Sequence, residues 1–200
     1  MMNRIAALAL GVLLSPAAAH AAAVVGADAP DFSAFDTKGK LVSLYGLRGK
    51  YVVLEWLNKD CPFVKKHYGR GNMQNLQKNM TGRGIVWLSI VSSAKGKQGF
   101  VTGPEADAHT KEKDAAPTAV LLDPQGRLGR LYGAKTTPHM FVIDKAGVLR
   151  YAGAIDSNPS SDPETIASAE NYVLAAVSEM QAQKKVTKPT SKPYGCSVKY

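Results

Sequence analysis

Cysteine is scarce in this chain of 200 residues, which contains only Cys61 and Cys196. Two cysteines are too few for a small fold held together by disulfides. The third residue after Cys61 is Val64, which excludes a C-x-x-C motif. A mature chain of about 180 residues is one domain by length and buries a core without such staples. Four roles stay open for Cys61: a reactive thiol, one half of a disulfide, a metal ligand or a small buried residue.

Long apolar runs are absent after the N-terminal segment, where a basic residue, Arg4, precedes the apolar run Ile5–Leu14 and the small-residue site Ala19-His20-Ala21. This pattern predicts a secretory signal peptide over residues 1–21, cleaved after Ala21. The run is shorter than the roughly 20 residues that a membrane helix needs, so an uncleaved anchor is the less favoured alternative. We expect a periplasmic or otherwise exported protein without stable membrane insertion. In an oxidising compartment its two cysteines have reason to pair.

Internal repeats and nucleic-acid-binding motifs are also absent from the sequence. The formal net charge is +9, and much of it lies near the C-terminus. A run of basic residues without an accompanying motif is typical of a solvated tail, so we expect no nucleic-acid partner. The tail lysines are Lys184, Lys185, Lys188, Lys192 and Lys199.

Apolar runs rich in β-forming residues predict buried strands at "YVVLEWL", "IVWLSIV" and "TAVLLD". Turn residues predict hairpins around "DTKGK" and "KAG". Helices are predicted from Pro62 to about Met80, across "GPEADAHTKEKD", as a brief helix or turn at "GRLGRLYGA", and from a cap at Asp162 to the end of "NYVLAAVSEMQAQ". The alternation predicts an α/β domain over residues 22–184 with a central mixed β-sheet, followed by an extended basic tail over residues 185–200.

Cys61 stands between the end of the first buried strand and the predicted helix start at Pro62. The carboxyl ends of strands are where α/β sheets place their chemistry. A helix N-terminus carries partial positive charge, and Lys65 and Lys66 add to it, so we expect a thiol with a lowered pKa in a partly open position. The alternative is an inert buried cysteine.

Three segments, "GADAPDF", "VVLEWLNKDCPFV" and "TTPHMFVID", resemble the thioredoxin-fold redoxins, and in particular the peroxiredoxin-like alkyl hydroperoxide reductase/thiol-specific antioxidant family. The resemblance spans about Gly26 to Met180. It implies a thioredoxin-like fold with a central mixed sheet flanked by helices, an N-terminal β-hairpin and an extended C-terminal tail. It also implies a thiol-dependent oxidoreductase, a peroxidase or a disulfide reductase, with Cys61 as the attacking thiolate and no cofactor.

The resemblance assigns further site residues and also shows departures. Asn58 occupies the position where peroxiredoxins have a hydroxyl residue, and its amide is expected to donate a hydrogen bond. Pro138 stands where peroxiredoxins have an arginine, and it matches the cis-proline of thioredoxins. A cis Thr137–Pro138 bond is therefore expected to face Cys61, with a backbone that pairs with an extended peptide or tail. The expected substrate-binding residues are Pro62, Thr137, Pro138 and His139.

Glu55 lies six residues before Cys61 and resembles the buried acid of thioredoxins. Inside an apolar strand its pKa should rise, which would suit a general acid or base beside a thiol. The alternative is a strand-end carboxylate that faces water.

Cys196 distinguishes the possible functions. About eleven residues link it to the last helix and span roughly 36 Å when extended, whereas a domain of this size has a radius of gyration of about 16 Å. The tail can therefore reach Cys61, and Tyr194, Gly195 and Tyr200 could dock it in an apolar groove. Cys196 is then either the resolving thiol or the second half of a permanent disulfide in a non-catalytic binding module. The expected partners are a peroxide or a disulfide substrate and a thiol reductant.

Metal binding is the least favoured interpretation. His67, His109 and His139 could join Cys61 or Met140 as ligands, and copper-handling proteins share the fold. Such sites usually need a second nearby cysteine, and His67 is poorly aligned with Cys61 on the predicted helix. We expect no metal site.

Overall fold

The computed structural model describes residues 23–200, and the predicted signal peptide lies outside the described residues. The strands in chain order are β1 (Ser33–Phe35), β2 (Leu41–Ser43), β3 (Val52–Trp56), β4 (Val86–Val91), β5 (Ala119–Leu122), β6 (Thr136–Thr137), β7 (His139–Ile143), β8 (Leu149–Gly153) and β9 (Cys196–Ser197). The helices are α1 (Pro62–Gly69), α2 (Asn72–Gly82), α3 (Gly103–Glu112), α4 (Arg127–Tyr132) and α5 (Tyr172–Gln181).

A five-stranded mixed sheet in the order β5-β4-β3-β7-β8 forms the centre of the domain. Strands β3, β4 and β5 run parallel, whereas β7 and β8 are antiparallel to their neighbours. The predicted α/β fold with a mixed sheet is confirmed, and so is the N-terminal hairpin formed by β1 and β2.

Apolar side chains cover both faces of the sheet, as the continuous apolar runs predict. On one face, Val53 and Trp87 belong to a core that includes Cys61 and buried residues of α1, α2, α3 and α5. On the other face, Leu54 and Phe141 pack with α4 and the N-terminal hairpin region. Successive residues of β3 and β7 therefore point to different cores.

The predicted single helix from Pro62 to Met80 is wrong, because the chain forms α1 and α2 separated by a break at Gly71. Gly71 has a φ of 72°, in the left-handed region that a helix interior excludes. The break lets α2 pack at its own angle, so that Met73, Leu76 and Met80 reach the core.

The predicted last helix is also divided. Asp162 does cap a turn, because its side chain accepts a hydrogen bond from Glu164 N, but that turn is a 3₁₀ helix that ends at Ile166. Helix α5 begins at Tyr172, and Asn171 is its cap, accepting from Leu174 N. The α-helix therefore starts at Tyr172, ten residues after the predicted cap at Asp162.

The C-terminal tail is extended, as predicted, and it lies against the domain. Ala152 N donates to Pro189 O and Ser191 N donates to Ala152 O, which places the tail beside β8. Farther on, β9 pairs antiparallel with β6, opposing Cys196 to Thr137. Ala94 N donates to Lys199 O near the end of the chain. The tail is therefore an integral part of the folded domain.

Candidate active site

Cys61 occupies the N-cap position of α1, directly after β3 and before Pro62 at the first helical position. Its side chain is 0% exposed, so the expected partly open position is wrong. The reason is the docked tail, since Cys196 N lies 3.4 Å from Cys61 Sγ. Pro62 itself remains exposed at the start of the helix.

The Cys61 sulfur has two backbone partners. The thiol donates to Thr137 O at 3.1 Å, and the sulfur accepts from Cys196 N at 3.4 Å. The Thr137–Pro138 peptide bond is cis, as expected, and Pro138 is buried. The structure therefore brings Cys61, Thr137, Pro138 and Cys196 together, and both cysteines are free thiols.

The pKa values of the two thiols are shifted in opposite directions. Burial raises the pKa of Cys61, but interactions with neighbouring groups, chiefly the Cys196 side chain and amide, outweigh burial and lower the pKa. Burial and the contact with Cys61 raise the pKa of Cys196. The lowered pKa of Cys61 agrees with expectation, but its cause is hydrogen bonding. Lys65 points to solvent and Lys66 turns to Asn158 O, at 3.0 Å.

Glu55 is fully buried, which decides against the water-facing alternative. Burial raises its pKa, partly offset by hydrogen bonds to the carboxylate. None of those bonds comes from Cys61, so the structure does not place Glu55 in direct contact with the thiol. The donors are Tyr68 Oη at 2.8 Å, Gln77 Nε2 at 3.1 Å, Trp87 Nε1 at 2.8 Å and Ser89 Oγ at 2.8 Å.

Asn58 does donate a hydrogen bond, but its acceptor is a backbone carbonyl and not the Cys61 thiol. Its Nδ2 donates to Gln98 O at 3.3 Å, and its Oδ1 accepts from Asp60 N at 2.9 Å. Gly99 lies so close that a Cβ there would come within 2.2 Å of Asn58 Oδ1. The side chain therefore holds the loop that follows β4 against the start of α1.

His139 does not line the Cys61 site. Its ring packs 4.4 Å from the Phe141 ring centroid, and Nδ1 accepts from Lys135 N at 3.2 Å. Strand alternation explains the error, because His139 and Phe141 face the core opposite to the one that contains Cys61. Burial lowers the pKa of His139 to about 4, so the ring is neutral.

The tail docks through the three predicted residues. Tyr194 stacks edge-on against Phe63, with ring centroids 5.8 Å apart. Gly195 lies against Thr137 O, where a Cβ would come within 2.0 Å. Tyr200 Oη donates to Ala134 O at 2.8 Å. The tyrosine sites are not the simple apolar groove expected, because Tyr194 also meets charged residues.

Sequence reasoning missed Asp156 and gave Lys66 and His67 other roles. The Tyr194 hydroxyl donates to Asp156 Oδ1 and lies 3.2 Å from His67 Nε2. Lys66 Nζ is 3.7 Å from Asp156 Oδ2. The only signal in the sequence was that two polar residues, Lys66 and His67, lie in a helix that must cover the sheet. Across residues 23–200, no cluster of three or more histidine, cysteine or acidic side chains could hold a metal ion.

The described part of the chain contains no helix long and apolar enough to cross a bilayer. A search of curated protein sequences found no match. Among solved structures, a hypothetical protein from Sinorhizobium meliloti 1021 is 22% identical with a TM-score of 0.76, covering 90% of this chain and 96% of its own. An uncharacterized conserved protein from Geobacillus kaustophilus is 22% identical with a TM-score of 0.73, covering 88% and 92%. These similarities show the fold.

The exposed lipoprotein thioredoxin of Streptococcus pneumoniae strain TIGR4 is 25% identical with a TM-score of 0.50, covering 68% of this chain and 96% of its own. The mixed sheet, the cysteine at the start of α1 and the cis-proline opposite it define a thioredoxin-fold redoxin. The AhpC/TSA family model matches residues 25–152, and the chain belongs to that family.

Proposed function

We propose that this protein is an exported thiol-dependent oxidoreductase in which Cys61 is the attacking thiolate and Cys196 the resolving thiol. The observation that supports it most directly is the contact between the two cysteines beside the cis-proline, with Cys196 N 3.4 Å from Cys61 Sγ. Membership of the AhpC/TSA family and similarity to an exposed thioredoxin favour a redox enzyme.

The first step is oxidation of Cys61. With a peroxide, the Cys61 thiolate attacks one peroxide oxygen, an S–O bond forms, and the O–O bond breaks to release an alcohol or water after protonation. With a disulfide, the thiolate attacks one sulfur, and the other sulfur leaves as a thiolate. The lowered pKa of Cys61 favours both reactions, because the thiolate is the nucleophile.

The second step is resolution by Cys196. Its sulfur attacks the oxidised Cys61 sulfur, so that the Cys61–Cys196 disulfide forms and either water or a thiolate leaves. The raised pKa of Cys196 keeps its proton in place while Cys61 is reduced. An external thiol reductant then supplies two electrons and restores both thiols.

Access to Cys61 requires movement of the tail, because the thiol is fully covered while β9 is docked. The tail therefore lifts for the first step and returns for the second. Neither the Glu55 carboxylate nor the Asn58 side chain hydrogen-bonds to the Cys61 thiol, so we assign them supporting roles. Glu55 organises the buried polar cluster beneath α1 and α2, and Asn58 holds the loop beside Cys61.

Complete burial of Cys61 also favours a second candidate, a non-catalytic binding module whose Cys61–Cys196 disulfide is permanent. Closing so long a loop would contribute up to about 5 kcal/mol in the chain-entropy model. In that case the tail has no need to lift, and the reduced protein would be a non-functional form.

Single cysteine variants discriminate between the two candidates. With hydrogen peroxide or a model disulfide, Cys61→Ser should consume no oxidant. Cys196→Ser should consume one equivalent and then stall with Cys61 as a sulfenic acid or a mixed disulfide. Turnover of the wild type with an added dithiol supports catalysis. Equal reactivity of Cys61→Ser and the wild type contradicts it.

A further inference from the structure

A group of charged and polar side chains is buried beneath the tail, and the chemistry described above does not use it. The side chains of Lys66 and His67 are 0% exposed, and that of Asp156 is 3% exposed. Buried charges are costly unless they are paired, and even a paired buried cluster is weak evidence for a net gain in stability. This arrangement therefore calls for a role other than stability.

Tyr194 completes this cluster from the tail. Asn72 Nδ2 donates to His67 Nδ1 at 2.8 Å, so the neutral imidazole carries its proton on Nε2 and donates it to Tyr194 Oη at 3.2 Å. The Tyr194 hydroxyl in turn donates to Asp156 Oδ1. The phenol is thus both donor and acceptor, which is the full complement that a buried hydroxyl needs.

The Tyr194 ring is also held by its faces and edges. It meets Phe63 edge-on, and Lys66 Nζ lies 5.6 Å from its ring centroid. Phe63, Lys66 and His67 all belong to α1, the helix that begins immediately after Cys61. The tail is therefore anchored on the same element that carries the attacking thiol.

Only Gly195 separates this anchor from Cys196, so the position of Tyr194 determines the position of the resolving thiol. Two extended residues span about 7 Å, which leaves little freedom between anchor and sulfur. Gly195 has a φ of 127° and packs directly on Thr137 O, which restricts the link further.

We propose that Tyr194 is the positioning residue for resolution, holding Cys196 against Cys61 through the slot formed by Phe63, Lys66, His67 and Asp156. This inference rests on the proposed function of the two cysteines. It predicts a pair of opposite effects: loss of the anchor uncovers Cys61 and speeds its first reaction, while it slows the closure by Cys196. General destabilisation of the fold would not speed the first reaction while slowing the second.

The experiment uses the reduced full-length protein and 5,5′-dithiobis(2-nitrobenzoate). The Cys61 thiolate attacks this disulfide and releases a first thionitrobenzoate anion. Cys196 then attacks the mixed disulfide on Cys61, forms the Cys61–Cys196 bond and releases a second anion. The two phases, followed by absorbance, report attack and resolution separately and need no knowledge of the natural oxidant.

For Tyr194→Ala we expect the first phase to be about tenfold faster and the second about 100-fold slower, since a small misplacement of reacting groups is costly. Tyr194→Phe keeps the ring and loses the hydroxyl, so its second phase should slow by about tenfold. The matched control Tyr45→Phe, at a tyrosine outside the tail that is 72% exposed, should change both phases less than about twofold. Thermal unfolding verifies that each variant is folded.

Unchanged phases in Tyr194→Ala, or two phases slowed together, overturn the positioning role alone. A wild type that never releases the second anion contradicts the resolving role of Cys196 and the positioning role with it. A different result would contradict the proposed function. If both phases behave as expected but the wild type turns over neither peroxide nor protein disulfides, then Tyr194 positions Cys196 in a protein that is not an oxidoreductase.

Discussion

Cys61 and Cys196 share one environment, yet they hold their protons differently. The sulfur of Cys61 accepts a hydrogen bond from Cys196 N at 3.4 Å, and the Cys196 side chain also lowers the pKa of Cys61, so both favour the thiolate. Burial and the proximity of Cys61 raise the pKa of Cys196, so Cys196 is the group that retains its proton. The negative charge of the reduced pair therefore belongs on Cys61.

This asymmetry predicts two separate ionisations. Thiolate absorbance at 240 nm of the reduced wild type should rise in two steps as pH increases, one below and one above the unperturbed thiol pKa of about 8.5. The lower step should vanish in Cys61→Ser. A single step at or above 8.5 would contradict the lowered pKa of Cys61 and with it the attacking role.

Glu55 illustrates a buried acid whose effect on stability depends on pH. Its pKa is raised in the folded state, so the folded protein binds its proton more tightly than the unfolded chain does. Stability from this group is therefore highest below the unfolded pKa and declines as pH rises through the window between the unfolded and folded values.

Replacing Glu55 by Gln should remove that decline, because an amide has no charge to desolvate. The stability of Glu55→Gln relative to wild type should improve as pH rises above about 4.5, with a slope of at most about 1.4 kcal/mol per pH unit. Urea unfolding at several pH values measures it. Parallel curves for the two proteins would show that Glu55 titrates alike in the folded and unfolded chain.

At the scale of elements, the strands were predictable because their signal is strong. Runs such as "YVVLEWL" and "IVWLSIV" are apolar throughout, as strands covered on both faces must be. The helices were less predictable because their ends depend on tertiary packing. The left-handed φ at Gly71 divides α1 from α2. The sequence alone does not show that this glycine adopts a left-handed conformation.

The sequence predicts which residues form the candidate site, but it does not predict how neighbouring side chains and the tail pack around that site. Cys61, Thr137 and Pro138 lie together because motif and topology place them at one end of the sheet. The directions of the Asn58 and His139 side chains could not be predicted, because local loop contacts and strand alternation decide them. The slot for Tyr194 joins α1 to the segment after β8, and no local pattern encodes such a long-range contact.

The pairing of β9 with β6 depends on Gly195. Alanine there would place a Cβ within 2.0 Å of Thr137 O at a φ of 127°, which only glycine adopts readily. A strain of about 1–3 kcal/mol in the docked state should raise the open fraction by about 5- to 150-fold. Alkylation of Cys61 by iodoacetamide in the reduced Gly195→Ala variant, measured by peptide mass spectrometry, should accelerate accordingly.

Ser197→Ala is the matched control, since Ser197 lies in the same strand with an exposed side chain. Its rate should equal that of the wild type. If Gly195→Ala and Ser197→Ala alkylate equally slowly, β9 does not control access to Cys61.

At the scale of the whole molecule, the N-terminal pattern and the cysteine pair agree with each other. A basic residue, an apolar run and an A-x-A-like site predict export, and export provides the oxidising surroundings in which two cysteines pair. Mass spectrometry of envelope-extracted protein should find a mature chain that begins at Ala22. A chain that retains residues 1–21 would contradict both the signal peptide and the location.

The tail shields Cys61 in the structure, and the proposed function requires a second arrangement in which the tail is lifted and an oxidant reaches the thiol. The shielded arrangement places Cys196 N 3.4 Å from Cys61 Sγ, so oxidation of either thiol should end in one intramolecular disulfide. The basic residues of the tail lie mostly in solvent and leave this docking to Tyr194, Gly195 and Tyr200.

The central claim is that Cys61 is oxidised first and Cys196 resolves it. The most direct measurement is peptide mapping of the reduced wild type and of Cys196→Ser after one equivalent of hydrogen peroxide. We expect a Cys61–Cys196 disulfide in the wild type and a dimedone-trapped sulfenic acid on Cys61 in the variant. Unmodified Cys61 in both proteins, with the oxidant unconsumed, would contradict it.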